Sequence, residues 1–268
     1  MFYNAKNGNL KIDDSDMDFI SFGEGEKILV LIPGLGDGLR TVKGLAVPFA
    51  LMYKECVADY KIYVFSRKNK LPEGYTTRDM AADYVRAMRQ EGIEKADIVG
   101  VSQGGMIAQY IAIDYPEIVN KLALVVTLAR PNELMQTVIG QWKEMALKND
   151  YKEIMEDTAH KMYSPEYIKK SRWAFASAGA KRKLKDQSRF LIMADACLAH
   201  NAYEEIEKIT CPTLIVGAKG DAVLGVEPSY EIAEKIKDSE LYIYEDYGHG
   251  VYEEAKDFNS RILSFLGR

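Results

Sequence analysis

Gly100-Val101-Ser102-Gln103-Gly104 joins an apolar, strand-like run, Ala96 to Val101, to a helix-like run from Gly105 to Asp114. A backbone passes from strand to helix in so few residues only through a sharp, strained turn. Small residues two places before and after the serine leave room for it. Such a turn lifts the Ser102 hydroxyl clear of a sheet and aims the next N–H, that of Gln103, at whatever the serine attacks. Glycine and serine meet often in loops, so the pentapeptide gains its meaning from the strand before it and the helix after it.

The rest of the chain supplies the sheet this turn requires. Asn7-Gly8 predicts a hairpin turn between two short N-terminal strands, the second from Met17 to Phe22. Ile28 to Ile32, Lys61 to Phe65 and Lys121 to Ala129 are continuous apolar runs, as expected of strands covered on both faces. Between them a helix begins near Thr77, with Met80, Tyr84, Val85 and Met88 on one face, a threonine cap at Thr76 or Thr77, and Gly92 to end it. From Pro131 to about Lys208 only helical spacing is found: Leu134, Val138, Trp142 and Met145, then Ile154, Thr158 and Met162. The alternation resumes with the strand Thr213 to Gly217, a helix near Ser229 to Ile236, the strand Leu241 to Tyr244 and a closing helix from Tyr252 to Leu266. The expected fold class is α/β, a mostly parallel sheet covered on both faces, with an all-helical insertion. Residues 1–130 and 209–268 form the two parts of the core, and 131–208 the insertion.

Composition removes several function classes. With 47% apolar and 28% charged residues, the chain has ordinary globular composition. Its net charge of −5 comes from interleaved acids and bases, so no extended basic face is offered to nucleic acid. The longest apolar runs are too short to span a bilayer, and the first residues resemble neither a signal peptide nor a transit sequence. Cys56, Cys197 and Cys211 are odd in number and lack metal-type spacing, so a reduced, cytoplasmic protein without metal or organic cofactor is expected. The sequence does not speak to oligomeric state.

A serine hydroxyl becomes a nucleophile when a neighbouring base takes its proton and a third group holds that base in one tautomer. His160 and His200 lie in the helical insertion, where a lone histidine is usually surface or packing. His249 lies in Tyr247-Gly248-His249-Gly250, just beyond the strand Leu241 to Tyr244. Loops beyond the carboxyl ends of strands converge on one site in an open α/β sheet, and Ser102 sits in another of them. For the acid, Asp221 follows the strand Thr213 to Gly217, while its rival Asp246 is three residues from His249 on the same loop and hard to aim at Nδ1. The stretch after the preceding strand, Thr127-Leu128-Ala129-Arg130, offers no carboxylate. Asp221 is therefore the expected acid, in the order Ser102, Asp221, His249.

That order, with Ser102-Gln103-Gly104-Gly105-Met106-Ile107-Ala108-Gln109 and Cys211-Pro212-Thr213-Leu214-Ile215-Val216-Gly217, resembles the α/β-hydrolase superfamily over essentially the whole chain. The narrower likeness is to the capped serine hydrolases that include 3-oxoadipate enol-lactonases, carboxylesterases and C–C bond hydrolases. The resemblance implies nucleophile Ser102, acid Asp221 and base His249. It also implies an oxyanion hole made by the backbone N–H groups of Leu35 and Gln103, each such donor being worth about 3–4 kcal/mol of transition-state stabilisation. The family's usual His-Gly before the oxyanion turn is here Pro33-Gly34, and Ser66-Arg67-Lys68-Asn69-Lys70 replaces its Asp-x-Arg-Gly type loop. Arg67 is expected to be structural.

The insertion at 131–208 then reads as a helical cap over the serine, excluding water and shaping a pocket. About a third of Met135, Trp142, Met145, Met155, Met162, Trp173, Phe175, Phe190 and Met193 are expected to face the site. The run Lys181-Arg182-Lys183-Leu184-Lys185 is expected on a solvated helix face. The leading expectation is a serine hydrolase cleaving a small carboxylic ester or lactone. A C–C bond hydrolase, a lyase of the menaquinone-pathway type and a thioesterase use the same triad. A ligand-binding receptor on a hydrolase scaffold is the reading of another class, and turnover separates it from the enzymes.

Overall fold

The computed structural model describes residues 2–171 and 187–267. Eight strands form one sheet: β1 (Lys6–Ile12), β2 (Ser15–Phe22), β3 (Lys27–Ile32), β4 (Tyr60–Phe65), β5 (Ala96–Val101), β6 (Val119–Val125), β7 (Thr213–Ala218) and β8 (Ser239–Tyr244). Their order across the sheet is β1-β2-β4-β3-β5-β6-β7-β8. β1 pairs antiparallel with β2, and β2 antiparallel with β4; every other neighbouring pair is parallel. β5 and β7 are buried at every residue, whereas the edge strand β8 is largely open. Continuous apolar sequence and central position thus coincide.

The helices are α1 (Ala46–Met52), α2 (Thr77–Gln90), α3 (Gln103–Asp114), α4 (Glu133–Leu147), α5 (Tyr151–Met162), α6 (Ser188–Leu198), α7 (Glu227–Lys235), α8 (Val251–Glu254) and α9 (Phe258–Leu266). Two apolar cores lie on the two faces of the sheet. One packs α2, α3, α4 and α6; the other packs α1 and α9. α2 begins in a capping box: the Thr76 side chain accepts from Asp79 N–H, and the Asp79 carboxylate accepts from Thr76 N–H at 2.9 Å. α3 is buried along nearly its whole length between α2 and the sheet, which fixes the helix that follows Ser102.

Between β6 and β7 the described elements are α4, α5, a helical stretch at 165–171, α6 and a short 3-10 turn at Ile206–Lys208, with no strand among the described residues. Trp173, Phe175 and the Lys181–Lys185 run lie outside the described residues. Leu134, placed on the buried face of α4 by its spacing, is 40% exposed, and its neighbour Met135 is buried instead. No described helix is long and apolar enough to cross a membrane.

Three local expectations are corrected. Asn7-Gly8 is not the hairpin turn: both residues lie within β1, paired with Ile20 and Phe19, and the turn falls at Asp13-Asp14, with Asp13 at φ 53°. Gly8 is required by packing, since a Cβ there would lie 2.2 Å from the Phe19 ring. The strand expected to reach Ala129 stops at Val125 because Val126 turns to φ 41°. The closing helix is two helices, α8 and α9, separated at Ala255–Asp257.

Candidate active site

The turn at Ser102 is held on both sides. Ser102 N–H donates to Val125 C=O of the neighbouring strand at 2.9 Å, and the Thr127 hydroxyl donates to Ser102 C=O at 2.8 Å. The serine backbone sits at φ 55°, ψ −120°, a conformation that costs energy in a residue other than glycine and persists only where its surroundings enforce it. The flanking glycines are sterically necessary. A Cβ on Gly100 would lie 2.5 Å from Gly104 C=O, and one on Gly104 would lie 2.0 Å from Ile32 C=O. Gly104→Ala is accordingly expected to destabilise the fold by about 3 kcal/mol or more, because the obstruction is backbone that cannot swing aside. A urea midpoint unchanged from the parent protein would contradict this.

Beside this turn runs Pro33-Gly34-Leu35-Gly36-Asp37, where Leu35 opens a one-turn 3-10 helix, Leu35–Gly38. Gly34 lies against the serine, since a Cβ there would come within 3.3 Å of Ser102 Cβ. Gln103 is the first residue of α3, so its N–H belongs to a helix turn that has no intrahelical acceptors. Leu35, Ser102 and His249 all line one cavity of about 680 Å³ between the sheet and the helices α4, α5 and α6.

Asp221 and His249, 28 residues apart in sequence, meet in the structure: Asp221 Oδ2 lies 2.8 Å from His249 Nδ1. Both are buried. The other Asp221 oxygen accepts from the N–H groups of Val223 and Leu224 at 2.8 and 2.9 Å, so the loop after β7 fixes the carboxylate's direction. With Nδ1–H given to Asp221, Nε2 is the basic nitrogen of the ring. Asp246 lies exposed on the same loop. The glycines around His249 serve close approach: a Cβ on Gly250 would lie 2.4 Å from the Tyr163 ring, and Gly250 N–H donates to Met162 C=O at 2.8 Å. Ser164 bonds through both N–H and hydroxyl to the Glu254 carboxylate, fastening the end of α5 to the turn after the histidine.

A second set of contacts, not foreseen from sequence, ties α6 to the other side of the site. Gln103 Nε2 donates to Met193 C=O of α6 at 2.6 Å, and its Oε1 accepts from Arg67 Nη2 at 3.0 Å. Arg67, only 1% exposed, also donates its backbone N–H to Asp37 Oδ2 at 2.9 Å. Arg189 of α6 reaches the same Asp37 oxygen at 2.5 Å and donates to Arg67 C=O at 2.8 Å. Arg67 thus touches Gln103 and the glycine-rich turn beside Ser102, and the buried Asp37 and Arg67 form a charged knot with the partly buried Arg189 behind them. Asp37 directly follows the glycine-rich turn, which was the one sequence signal for it.

The remaining histidines are elsewhere. His160 is exposed on α5. His200 is buried, with Nδ1 2.9 Å from the Thr77 hydroxyl and Nε2 3.2 Å from Gln109 Oε1. Burial drives its pKa from the ordinary 6.5 down to about 3. Between these values the unfolded chain binds a proton at His200 and the folded chain does not, so stability falls as pH drops through that window. His200→Gln should therefore shrink the loss of urea midpoint between about pH 7 and about pH 4.5; an unchanged loss would mean that the folded imidazole titrates normally.

Of the seven described methionine and aromatic candidates in the insertion, Trp142, Met155, Met162 and Phe190 line the cavity, while Met135, Met145 and Met193 pack elsewhere. Cys56, Cys197 and Cys211 are free thiols. Among the described residues, no group of three or more His, Cys, Asp or Glu side chains is arranged to hold a metal ion.

The sequence profile described as the alpha/beta hydrolase fold matches residues 27–256. A 2-hydroxy-6-oxo-6-(2'-aminophenyl)hexa-2,4-dienoic acid hydrolase of Metapseudomonas resinovorans is 30% identical, the match covering 93% of this chain and 87% of that protein. A 2-hydroxy-6-oxononadienedioate/2-hydroxy-6-oxononatrienedioate hydrolase of a Pseudomonas species is 24% identical over 98% of this chain and 93% of its own. Among solved structures, the enol-lactonase from Burkholderia xenovorans LB400 superposes with a TM-score of 0.81 at 16% identity, covering 97% of this chain and all of the other. That last likeness speaks to the fold.

Proposed function

The chain belongs to the alpha/beta hydrolase fold family, and from that premise we propose that it is a serine hydrolase that cleaves a small carboxylic ester or lactone through an acyl-enzyme on Ser102. The observation that carries the reading is the buried Asp221–His249 pair, 2.8 Å apart, whose histidine lines the same cavity as the strained Ser102. Ser102 Oγ attacks the carbonyl carbon as its proton passes to His249 Nε2, and Asp221 holds the imidazolium that forms. The N–H groups of Leu35 and Gln103 stabilise the tetrahedral oxyanion. His249 then returns the proton to the departing alkoxide, and water repeats the sequence to free the acid. In this reading residues 131–208 act as a cap whose helices close the cavity over the serine and exclude bulk water.

A fluorophosphonate probe tests the assignment, because only an activated hydroxyl reacts quickly with it. Labelling is expected at Ser102 alone, read by peptide mapping. Modification of Ser66 or Ser164 with Ser102 untouched would mean that the elbow has been misassigned.

The two relatives named as hydrolases of hydroxy-oxo-dienoic acids favour a second reading, in which the same residues cleave a carbon–carbon bond beside a ketone. A panel of aryl esters, lactones and hydroxy-oxo-dienoic acids, each assayed with the parent protein and Ser102→Ala, separates the two.

A further inference from the structure

The two N–H groups assigned to the oxyanion, those of Leu35 and Gln103, belong to different segments of the chain. Each is aimed through its own peptide plane, because a carbonyl held on one edge of a planar amide sets the direction of the N–H on the other. The Gly34 carbonyl accepts from Asp37 N–H at 3.2 Å, which sets the Leu35 N–H. The Ser102 carbonyl accepts from the Thr127 hydroxyl and from Gly105 N–H, both at 2.8 Å, which sets the Gln103 N–H. These local bonds orient each donor. They do not fix the distance between the two.

Arg67, in the loop after β4, spans that gap. Its backbone N–H donates to Asp37 Oδ2 at 2.9 Å, and its Nη2 donates to Gln103 Oε1 at 3.0 Å. One residue thus grips the side chain of Asp37, two places beyond Leu35, and the side chain of Gln103 itself. The other end of the Gln103 amide is held as well, since Nε2 donates to Met193 C=O at 2.6 Å and to Cys197 Sγ at 3.1 Å. Gln103 is fully buried and Arg67 is 1% exposed, so neither bond has to compete with bulk water.

Charge alone does not account for a guanidinium at this place. Asp37 is already matched by Arg189 at 2.5 Å, whereas Arg67 Nη1 stands 3.9 Å from the same oxygen. Desolvating a guanidinium is offset only by good geometry, and that pair is loose. What the Arg67 side chain gains instead is the directed bond to Gln103. We propose that Arg67 is a positioning residue for the oxyanion hole, bracing the Leu35 and Gln103 donors at the separation a tetrahedral oxyanion requires. The proposal rests on the serine-hydrolase reading, in which those donors act. A donor that shifts leaves substrate binding intact and weakens the hold on the transition state, so its loss falls on kcat rather than KM.

The test is a double-mutant cycle on p-nitrophenyl acetate, with Arg67→Lys, Gln103→Met and both substitutions together. Lysine keeps a positive charge and the backbone N–H for Asp37, and methionine keeps the N–H of position 103. Both oxyanion donors therefore survive and only the brace is cut. Each single variant should lose about tenfold in kcat, part of the ~10²–10³-fold that removal of a whole donor costs, with KM within about twofold of the parent. The double variant should lose no more than about tenfold, because both changes cut one connection. Circular dichroism and the urea midpoint establish which variants are folded. A folded Arg67→Lys with the parent kcat overturns the proposal, and so does a raised KM at unchanged kcat, which would make Arg67 a substrate contact. Losses that multiply to about a hundredfold in the double variant mean that Arg67 does not act through Gln103, and overturn it too. Should Arg67→Lys fail to fold, Gln103→Met decides: it leaves Asp37 and both arginines in place, and a parent kcat there overturns the brace. Failure of the hydrolase reading shows elsewhere, as a parent protein whose Ser102 takes no fluorophosphonate label and whose turnover survives Ser102→Ala. That result removes the oxyanion role with it.

Discussion

Ser102→Ala is expected to lower kcat toward an activated aryl ester by about 10⁴–10⁶-fold, leaving only the ~10³–10⁴-fold advantage over water that an oxyanion hole and binding supply. The fold should survive the change. The Ser102 side chain does not cap α3, so deleting its hydroxyl takes no support from the helix. The turn is held by backbone groups and by Thr127, which alanine leaves in place. Circular dichroism and the urea midpoint should match those of the parent protein. Turnover within tenfold of the parent in a purified, folded Ser102→Ala sample would mean that some other group is the nucleophile.

The second large effect is expected at Asp221. Asp221→Asn keeps an oxygen for the Val223 and Leu224 N–H groups, so the loop should hold its shape. The amide, however, presents N–H to His249 Nδ1. The ring then carries its proton on Nε2, the nitrogen that must accept one from serine. A fall in kcat of about 10⁴ follows from the wrong tautomer. Asp246→Asn serves as the control. That residue lies exposed on the loop leading to the histidine, and its substitution should change kcat by no more than a few-fold. If Asp246→Asn were crippled and Asp221→Asn nearly normal, the acid would belong to the histidine loop.

What could be read from sequence divides along a physical line. Central strands declare themselves because burial on both faces demands unbroken apolar residues, as in Ile28 to Ile32 and Thr213 to Gly217. The sharp strand-to-helix turn announces itself because its glycines are fixed by close backbone approach, at Gly104 against Ile32 C=O. Ser102, Asp221 and His249 could be chosen because each follows the end of a strand, and in this sheet such ends lie together. Gly8 misled because a glycine needed beneath an aromatic ring looks, in sequence, like a glycine needed for a turn. α1 was not foreseen: Ala46-Val47-Pro48-Phe49-Ala50-Leu51-Met52 is apolar all round, so no stripe marks it as a helix. The Asp37–Arg67–Arg189 knot was beyond reach for another reason. Its members stand far apart in the chain, and charge pairing over such separations leaves no periodic trace.

The helices α5 and α6 hold on to the working loops from opposite sides, one through Gly250 and Glu254, the other through Asp37 and Gln103. They are therefore poor material for transplantation. A foreign pair grafted between β6 and β7 to admit a different substrate would arrive without Arg189 and without the carbonyl of Met193. Asp37 and Arg67 would then be left facing each other without their clamp, and the amide of Gln103 would lose its anchor. If the proposed site is the working one, reshaping this cavity is coupled to the loops that would do the chemistry, and residue-by-residue change of its wall disturbs less than exchange of whole helices.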